Sequence, residues 1–250
     1  MYTLKLLRLI GEWTIFTWNT IKTTICLLRR RDILVNQLKK IGYDSILLII
    51  VTSAFTGLVT VLQATYQTKG FIPLSLISVM VAKMSMMELS PVLTALVLSG
   101  KVGATQAAEI GSMKVSEQID ALQTMSVNPH EYIYMPKIIA TMIMLPILTI
   151  MSIFVAITSA YVFANRFYGV SAETFFINMK IFFEPLDIWL GIIKALFFGF
   201  IIASISTFLG ARTKNGAEGV GQATTNTVVY SSIGILMIDF VIAQVVFGGL

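Results

Sequence analysis

Glu88 is the residue best suited to chemistry, because it places a carboxylate inside the apolar run Gly70–Gly100. A charge costs about 2.5–3.5 kcal/mol at the centre of a membrane helix, so Glu88 should face the protein interior or water. Pro91 lacks an N–H and frees a carbonyl one turn back, which predicts a kink there. The pattern is typical of a cavity wall, but an ion pair with Lys83 or Lys194 also explains it. Lys83 is a poor partner within one helix, since five residues turn by about 140° from a common face.

The polar segment EIGSMKVSEQIDALQTMSVNP, Glu109–Pro129, is the second candidate, and it separates two apolar runs. Ser116 is predicted to cap a short helix. Glu117 and Asp120 would lie in its first turn, where the helix dipole favours acids, and Pro129 would end it. Apolar residues three apart form one face: Ile119, Leu122 and Met125. Spacing alone leaves two interpretations open, a surface connector and a docking element for a cytoplasmic partner.

The sequence offers no further constellation for catalysis. Cys26 and His130 are the single cysteine and histidine, which excludes an intrachain disulfide and a His-based metal cluster. The chain has no G-x-x-x-x-G-K-[ST] motif and no G-x-S-x-G elbow, and GVGQAT lacks the last glycine of a dinucleotide fingerprint. We therefore expect no catalytic residue, no metal and no cofactor on this chain.

Composition predicts that the solvent is a bilayer. The 250 residues are 56% hydrophobic and 12% charged, with a mean hydropathy of +0.83, whereas soluble domains carry about 25% charged residues. Five apolar runs can each span a hydrocarbon core: Ser45–Thr68, Gly70–Gly100, Ile138–Asn165, Ile188–Ala211 and Gly219–Ile238. Backbone groups in lipid must be satisfied within the segment, so we predict an all-α membrane protein.

Amphipathic segments flank these runs. Residues 2–31 combine helical spacing with repeated charges and two tryptophans, which predicts an interfacial helix; a poor first span is the alternative. The loop Arg166–Asp187 predicts a short surface helix, with a lid over a cavity as the alternative. We assign one domain to residues 1–250, with an interfacial region at 1–40, a transmembrane region at 42–250 and a cytoplasmic helix at about 115–127. Small residues should allow close helix approach: Gly103, Ala107 and Gly111.

Basic residues select the orientation of the five spans. On the side of the N-terminus lie Lys5, Arg8, Lys22, Arg29, Arg30, Arg31, Lys39, Lys40, Lys101, Lys114, Lys137, Arg212 and Lys214. On the other side lie Lys69, Arg166 and Lys180. The positive-inside rule therefore puts the N-terminus and the helix at about 115–127 in the cytoplasm. We attribute the net charge of +5 to the excess of basic residues on the cytoplasmic side, and we therefore expect no nucleic-acid partner.

Two blocks carry a resemblance to a known family. ELSPVLTALVLSGKVGATQAAEIGSMKVSEQIDALQTMSVNPHEYIYMPKIIA, residues 88–140, resembles the core of the MlaE family. Residues 216–240, GAEGVGQATTNTVVYSS with a later DF, resemble its second signature. These are permease subunits of lipid-trafficking ABC transporters that work with MCE-domain proteins. The chain departs at Met87, where some members have arginine, and at Lys101 and Lys137, which replace motif arginines and lose their bidentate fork.

The resemblance implies both partners and sites. Such permeases form homodimers around a phospholipid cavity, with an ABC ATPase below that carries ATP and Mg²⁺, and an MCE-domain protein on the far side. The implied lipid-cavity residues are Glu88, Leu89, Thr60, Gln63 and Phe71, of which the last three lie outside the motif. The implied ATPase-coupling residues are Glu109, Glu117, Gln118, Asp120 and Leu122.

The expected function is a permease subunit that moves phospholipid between membranes, driven by a separate ATPase and without chemistry of its own. One alternative is an ion-coupled secondary transporter of a lipophilic substrate, with Glu88 or Asp239 as a proton relay. The other is a membrane scaffold that only anchors partners. The sequence shows no internal repeat of the kind common in secondary transporters. The absence of a transit peptide favours a bacterial inner membrane over a plastid inner envelope.

Overall fold

The structure is a computed structural model that describes residues 2–23, 31–68, 73 and 76–248. Phe71 lies outside the described residues. The α-helices are α1 (Tyr2–Lys22), α2 (Arg31–Thr68), α3 (Ile77–Met84), α4 (Ser90–Leu98), α5 (Ala104–Val115), α6 (Gln118–Thr124), α7 (Met135–Tyr168), α8 (Ala172–Ile181), α9 (Pro185–Ala211) and α10 (Gly216–Phe247). Three π-helical turns join them: π1 (Ser85–Leu89), π2 (Ser99–Gly103) and π3 (His130–Tyr134).

The five predicted spans are confirmed. The helical stretches long and apolar enough to cross a membrane are Arg31–Thr68, Ile77–Val115, His130–Tyr168, Pro185–Ala211 and Gly216–Phe247. The first of them begins at Arg31, well before the apolar run that starts at Ser45. No Gly or Pro interrupts residues 31–41, and Asp32 lies in the first turn, where a helix dipole favours a carboxylate. The amphipathic residues ahead of the run therefore extend the span helix.

The second span is one helical rod made of α3, π1, α4, π2 and α5. Its π1 turn ends two residues before Pro91, which stands at the second position of α4. A proline cannot donate to the carbonyl one turn back, and a π turn changes that bonding pattern locally. A π turn that carries Glu88 therefore lies just before Pro91, where the sequence predicted a kink.

The chain forms two compact units. The first unit comprises Met1–Tyr43, Leu98–Met144 and Phe197–Leu250. Its apolar cluster around α6 is built from Ile110, Ile119, Ile133 and Tyr134. The second unit comprises Asp44–Val97 and Leu145–Leu196. Its core joins buried residues of α2, α3, α7 and α8, such as Val61, Val81, Ala160 and Phe175.

Helix α1 is amphipathic, as predicted. Its exposed apolar side chains are Leu7, Ile10, Ile15, Trp18 and Ile21. The opposite side packs onto the first unit, where the Phe16 ring lies 5.1 Å from His130 and 5.0 Å from Tyr134 between centroids. Thr20 Oγ1 also lies 2.8 Å from His130 Nδ1. One face of α1 is thus fixed to the protein, and the other suits a membrane interface.

The predicted surface helix in the loop Arg166–Asp187 is present as α8. The Ser171 hydroxyl caps it by accepting from the Thr174 N–H at 3.2 Å. Phe175 is 1% exposed in the core of the second unit, while Phe176 and Ile177 are exposed. Phe175 therefore anchors a helix that leaves the apolar side chains Phe176 and Ile177 exposed beside Glu173 and Lys180.

The predicted close approach along Gly103, Ala107 and Gly111 is confirmed within the first unit. A Cβ added at Gly103 would lie 3.2 Å from Ile202 Cγ2 of α9. One added at Gly210 of α9 would lie 2.8 Å from Ile110 Cβ and 3.0 Å from the Ala107 carbonyl oxygen of α5. The backbones of α5 and α9 are therefore too close for a larger residue at position 210.

Gly210→Ala should destabilise the protein by about 1–3 kcal/mol, because its methyl group overpacks the contact between α5 and α9. Gly11→Ala is the matched control, since a Cβ there would meet nothing within 4 Å. This control should raise stability by up to about 1 kcal/mol, because alanine is the better helix former. Thermal unfolding midpoints in detergent measure both changes, and a neutral Gly210→Ala would contradict the close approach.

Candidate functional site

Glu88 forms an ion pair with Lys194 of α9 inside the second unit. Lys194 Nζ donates to Glu88 Oε1 at 2.5 Å. The Lys194 side chain is 2% exposed and that of Glu88 is 41% exposed. Of the two partners considered from sequence, Lys194 is therefore the one in contact. The lysine charge is buried in the protomer, and the carboxylate reaches its surface.

Close packing of α9 against π1 positions this pair. A Cβ at Gly191 would crowd the Met86 carbonyl and lie 3.2 Å from Pro91 Cγ. Glycine at position 191 thus lets α9 approach the π turn. Lys194 follows three residues later, on the same helix face, and can reach Glu88. The π turn, the glycine and the proline together set the geometry of the pair.

Lys83 has other partners than Glu88. Its Nζ lies 2.9 Å from Glu184 Oε1 and 3.7 Å from Asp187 Oδ2. The side chain of Asp187 is 3% exposed. Lys83 therefore links α3 to the start of α9. These partners agree with the prediction that a Lys83–Glu88 pair within one helix would have poor geometry.

Leu89 lines a small pocket in the second unit. The other lining residues are Thr52, Ser53, Thr56, Ser90, Leu93, Thr94 and Ser152. Most of them carry hydroxyl groups, so the surroundings of Leu89 are more polar than the sequence implied. Thr60 lies one turn beyond Thr56 on α2, is 7% exposed and donates to the Thr56 carbonyl at 2.7 Å. Gln63 is exposed on the same helix.

The prediction that Ser116 caps the helix at about 115–127 is wrong. Ser116 follows the last residue of α5, and its hydroxyl donates back to the Ser112 carbonyl at 2.8 Å. Glu117 occupies the N-cap position of α6 with φ 59° and makes no side-chain cap. The helix spans seven residues, Gln118–Thr124, and is shorter than predicted. The left-handed residue Glu117 separates α5 from α6, where the sequence suggested a capping hydroxyl.

The apolar stripe of α6 faces its own chain. Ile119 is 2% exposed in the cluster with Ile110, Ile133 and Tyr134, and Leu122 is half-buried against it. Asp120 is half-exposed and contacts Lys114 at 2.7 Å. Exposed residues of this region include Glu117, Gln118, Ala121, Gln123 and Thr124. Met125, the third residue of the predicted apolar stripe, follows the helix and is 72% exposed. The surface open to a partner is therefore the face around Ala121 and Thr124, opposite Ile119 and Leu122.

Glu109 lies within a network of charges in the first unit. Lys137 Nζ donates to Glu109 Oε2 at 2.5 Å, and Lys40 contacts Glu109 Oε1. The Lys137 side chain is 6% exposed, and that of Glu109 is 32% exposed. Glu109 therefore links α5 to α2 and α7.

Sequence reasoning missed Gln106, which hydrogen-bonds two neighbouring helices inside the first unit. It also missed His130 as an anchor for α1. For Gln106 a signal was present, since an amide beside Ala107 in a small-residue run is expected to find partners when helices pack closely. For His130 the sequence held no comparable signal, because its partner Thr20 is distant along the chain.

Comparison with known proteins identifies the family. Residues 34–245 match the family model described as Permease MlaE. The chain is 36% identical over 245 residues to a probable ABC transporter permease protein of Rickettsia bellii, covering 98% of this chain and 95% of the relative. It is 34% identical over 217 residues to the intermembrane phospholipid transport system permease protein MlaE of Haemophilus influenzae, covering 86% and 83%.

A plant relative extends the comparison. The chain is 36% identical over 214 residues to the protein TRIGALACTOSYLDIACYLGLYCEROL 1, chloroplastic, of Arabidopsis thaliana, which covers 85% of this chain and 61% of the relative. The family match covers both sequence blocks and all five span helices of the structure. This chain therefore belongs to the MlaE permease family.

Proposed function

We propose that this chain is the permease subunit of an ABC transporter that moves phospholipid, and that a separate ATPase supplies the energy. The family match and the relative named for intermembrane phospholipid transport support this assignment. The observation that carries it is the arrangement of α6, which anchors Ile119 in a core of span helices and leaves Gln118 and Ala121 exposed. A polar helix held firmly on the ends of spans is suited to receive force from a cytoplasmic partner.

The proposed lipid site is centred on Glu88 and Leu89. The half-exposed Glu88 carboxylate forms an ion pair with the buried Lys194 ammonium. This pair holds a polar group within an apolar run of the second span. Such a pair can contact the polar part of a lipid, while the apolar span surface accommodates acyl chains. Thr60 and Gln63 extend this proposal along α2.

The proposed second partner is another copy of this chain, bound through α10. Only 11% of the residues in the most apolar 18-residue stretch of this helix are buried in the protomer, whereas the share is 33–50% for the other four spans. Its exposed residues include Gln222 and Thr225 as well as apolar side chains. Polar groups in a span are expensive in lipid and favour a protein neighbour. These features support a homodimer contact along α10.

The proposed far-side partner is an MCE-domain protein. The exposed apolar side chains of α8, Phe176 and Ile177, lie on the connection between the third and fourth spans, opposite in topology to α6. We place the protein in a bacterial inner membrane as a multi-pass subunit. The plastid inner envelope is the less favoured location, although the Arabidopsis relative is described as chloroplastic.

A reconstituted complex tests the proposed function. Vesicles that contain this chain and its ATPase should transfer labelled phospholipid to an acceptor when ATP and Mg²⁺ are added. They should not do so with a non-hydrolysable analogue. Transfer that follows an imposed proton gradient without ATP would instead indicate a secondary transporter. ATP hydrolysis with no lipid movement and no bound lipid would indicate a scaffold.

A further inference from the structure

Gln106 of α5 joins two other helices by buried hydrogen bonds in the first unit. Its Nε2 donates to Thr141 Oγ1 of α7 at 2.9 Å, and Ser206 Oγ of α9 donates to its Oε1 at 2.9 Å. Gln106 is 3% exposed, Thr141 1% and Ser206 0%. The Thr141 hydroxyl gives its proton to the Lys137 carbonyl at 2.8 Å, so its lone pair faces the Gln106 N–H. Both ends of the amide are therefore satisfied, each by a different helix.

The same face of α5 carries a second set of links. Glu109 follows Gln106 by three residues and therefore lies beside it on the helix. Its carboxylate contacts Lys137 of α7 and Lys40 of α2. The pair Gln106 and Glu109 thus binds α5 to three helices, α2, α7 and α9. Polar contact is continuous across them, because Lys137 supplies both a carbonyl to Thr141 and an ammonium to Glu109.

These polar contacts differ from the small-residue contacts around them. Gly103, Ala107 and Gly210 let α5 and α9 approach, but such smooth surfaces do not fix the position of one helix along another. Hydrogen bonds are directional and weaken when the donor and acceptor move apart by a fraction of an ångström. A buried amide that loses its partners is also costly. A shift of α5 alone would break the Gln106 bonds, whereas a joint shift with α7 and α9 would keep them.

We propose that Gln106 is a positioning residue that makes α5, α7 and α9 move together when an ATPase displaces α6. Only Ser116 and Glu117 separate α5 from α6, and α5 belongs to the same helical rod as Glu88. Without the Gln106 bonds, α5 slides along α7 and α9. Part of the displacement that each ATP hydrolysis produces is then not transmitted to these helices, and less lipid moves per ATP. This inference rests on the proposed function, since it concerns how ATP hydrolysis is coupled to lipid transfer.

The quantity to measure is lipid transferred per ATP hydrolysed, in vesicles that contain the complete complex. Gln106→Leu replaces the amide with a branched apolar side chain that is one atom shorter, and it removes both hydrogen bonds. This variant should assemble and hydrolyse ATP, while lipid transferred per ATP falls by about threefold to tenfold. In an assembled complex, an unchanged ratio would overturn the proposal, and this includes the case in which ATPase rate and lipid transfer fall in equal proportion.

Two variants at Thr141 keep the proposal testable if Gln106→Leu does not assemble. Thr141→Val keeps the shape and removes the hydroxyl, whereas Thr141→Ser keeps the hydroxyl and removes a methyl group. The ratio should fall for valine and stay near the original for serine. Equal ratios would overturn the proposal. Ser159→Ala is the control, because it removes an interhelical hydrogen bond of 3.0 Å to the Ala54 carbonyl in the second unit.

The unmodified complex separates this inference from the proposed function. If the unmodified complex does not transfer lipid with ATP, the proposed function fails before any variant is compared. If it transfers lipid and Gln106→Leu shows the same ratio, only the role of Gln106 fails. The two results therefore come from different samples in one experiment.

Discussion

Glu88→Met is expected to destabilise the protein more than Lys194→Met, although both variants break the same 2.5 Å ion pair. The Lys194 side chain is 2% exposed, so loss of the carboxylate leaves an ammonium that is buried in the protomer. Removing the partner of a buried charge is destabilising, because a charge away from water is costly when its ion pair is lost. Glu88 is 41% exposed, so loss of the ammonium leaves a carboxylate that still reaches the protomer surface. Thermal unfolding midpoints in detergent measure the difference.

The double variant Glu88→Met/Lys194→Met separates the stability of the site from its function. Apolar residues of similar length often replace a buried pair without loss of stability, so the midpoint should return close to the original. Lipid transfer should remain reduced by about tenfold, equivalent to about 1.4 kcal/mol, because the polar group at the lipid site is gone. A stable double variant that transfers lipid normally would show that the pair serves only the fold. A double variant less stable than both single variants would contradict the pairing.

The ends of several helices could be predicted from the sequence because they coincide with the ends of apolar runs. The predicted fourth span ends at Ala211, as α9 does, and the predicted first span ends at Thr68, the last described residue of α2. Continuous apolar sequence requires lipid or protein around it, and the backbone must then be helical. The starts were less predictable. Residues 31–44 are amphipathic, and hydropathy does not show whether such residues extend a span or lie apart from it.

The local structure around Ser116 could not be predicted, because two short-range bonds compete for its hydroxyl. Spacing permits a cap on the helix that follows and equally a bond to the carbonyl four residues before, which is the one formed. The backbone of Glu117 is then left-handed, with φ 59°, between α5 and α6. A glutamate at such a position is uncommon and carries no sequence pattern that announces it.

Partners distant along the chain set the rest of the site. The sequence showed that Glu88 needed a polar environment, but the choice of Lys194 depends on the close packing of Gly191 against π1. Periodicity likewise showed that α6 has an apolar stripe, but not that Ile119 and Leu122 pack against its own chain. The family resemblance is the basis for proposing this segment as the contact with an ATPase. The structure shows which of its side chains are exposed.

This exposure determines how ATPase docking should be tested. Leu122 is half-buried against the core and Asp120 contacts Lys114, so lysine at either position would disturb this chain itself. Ala121 is exposed on the face of α6 opposite Ile119. Ala121→Arg adds a long cation to that face, and arginine is a good helix former, so α6 should keep its fold. We expect the amount of ATPase that co-purifies with the permease to fall by about tenfold or more.

Ala172→Arg is the matched control, because it makes the same substitution at an exposed position of α8, on the opposite side in the proposed topology. The control should retain the ATPase, and both variants should unfold within about 0.5 kcal/mol of the original protein, as surface substitutions usually do. If the ATPase is retained by Ala121→Arg as well, the exposed face of α6 is not its docking surface. If both variants lose it, the loss follows from the added charge. Loss with Ala121→Arg alone, at unchanged stability, would locate the contact on α6, from which the rod Ile77–Val115 leads to Glu88.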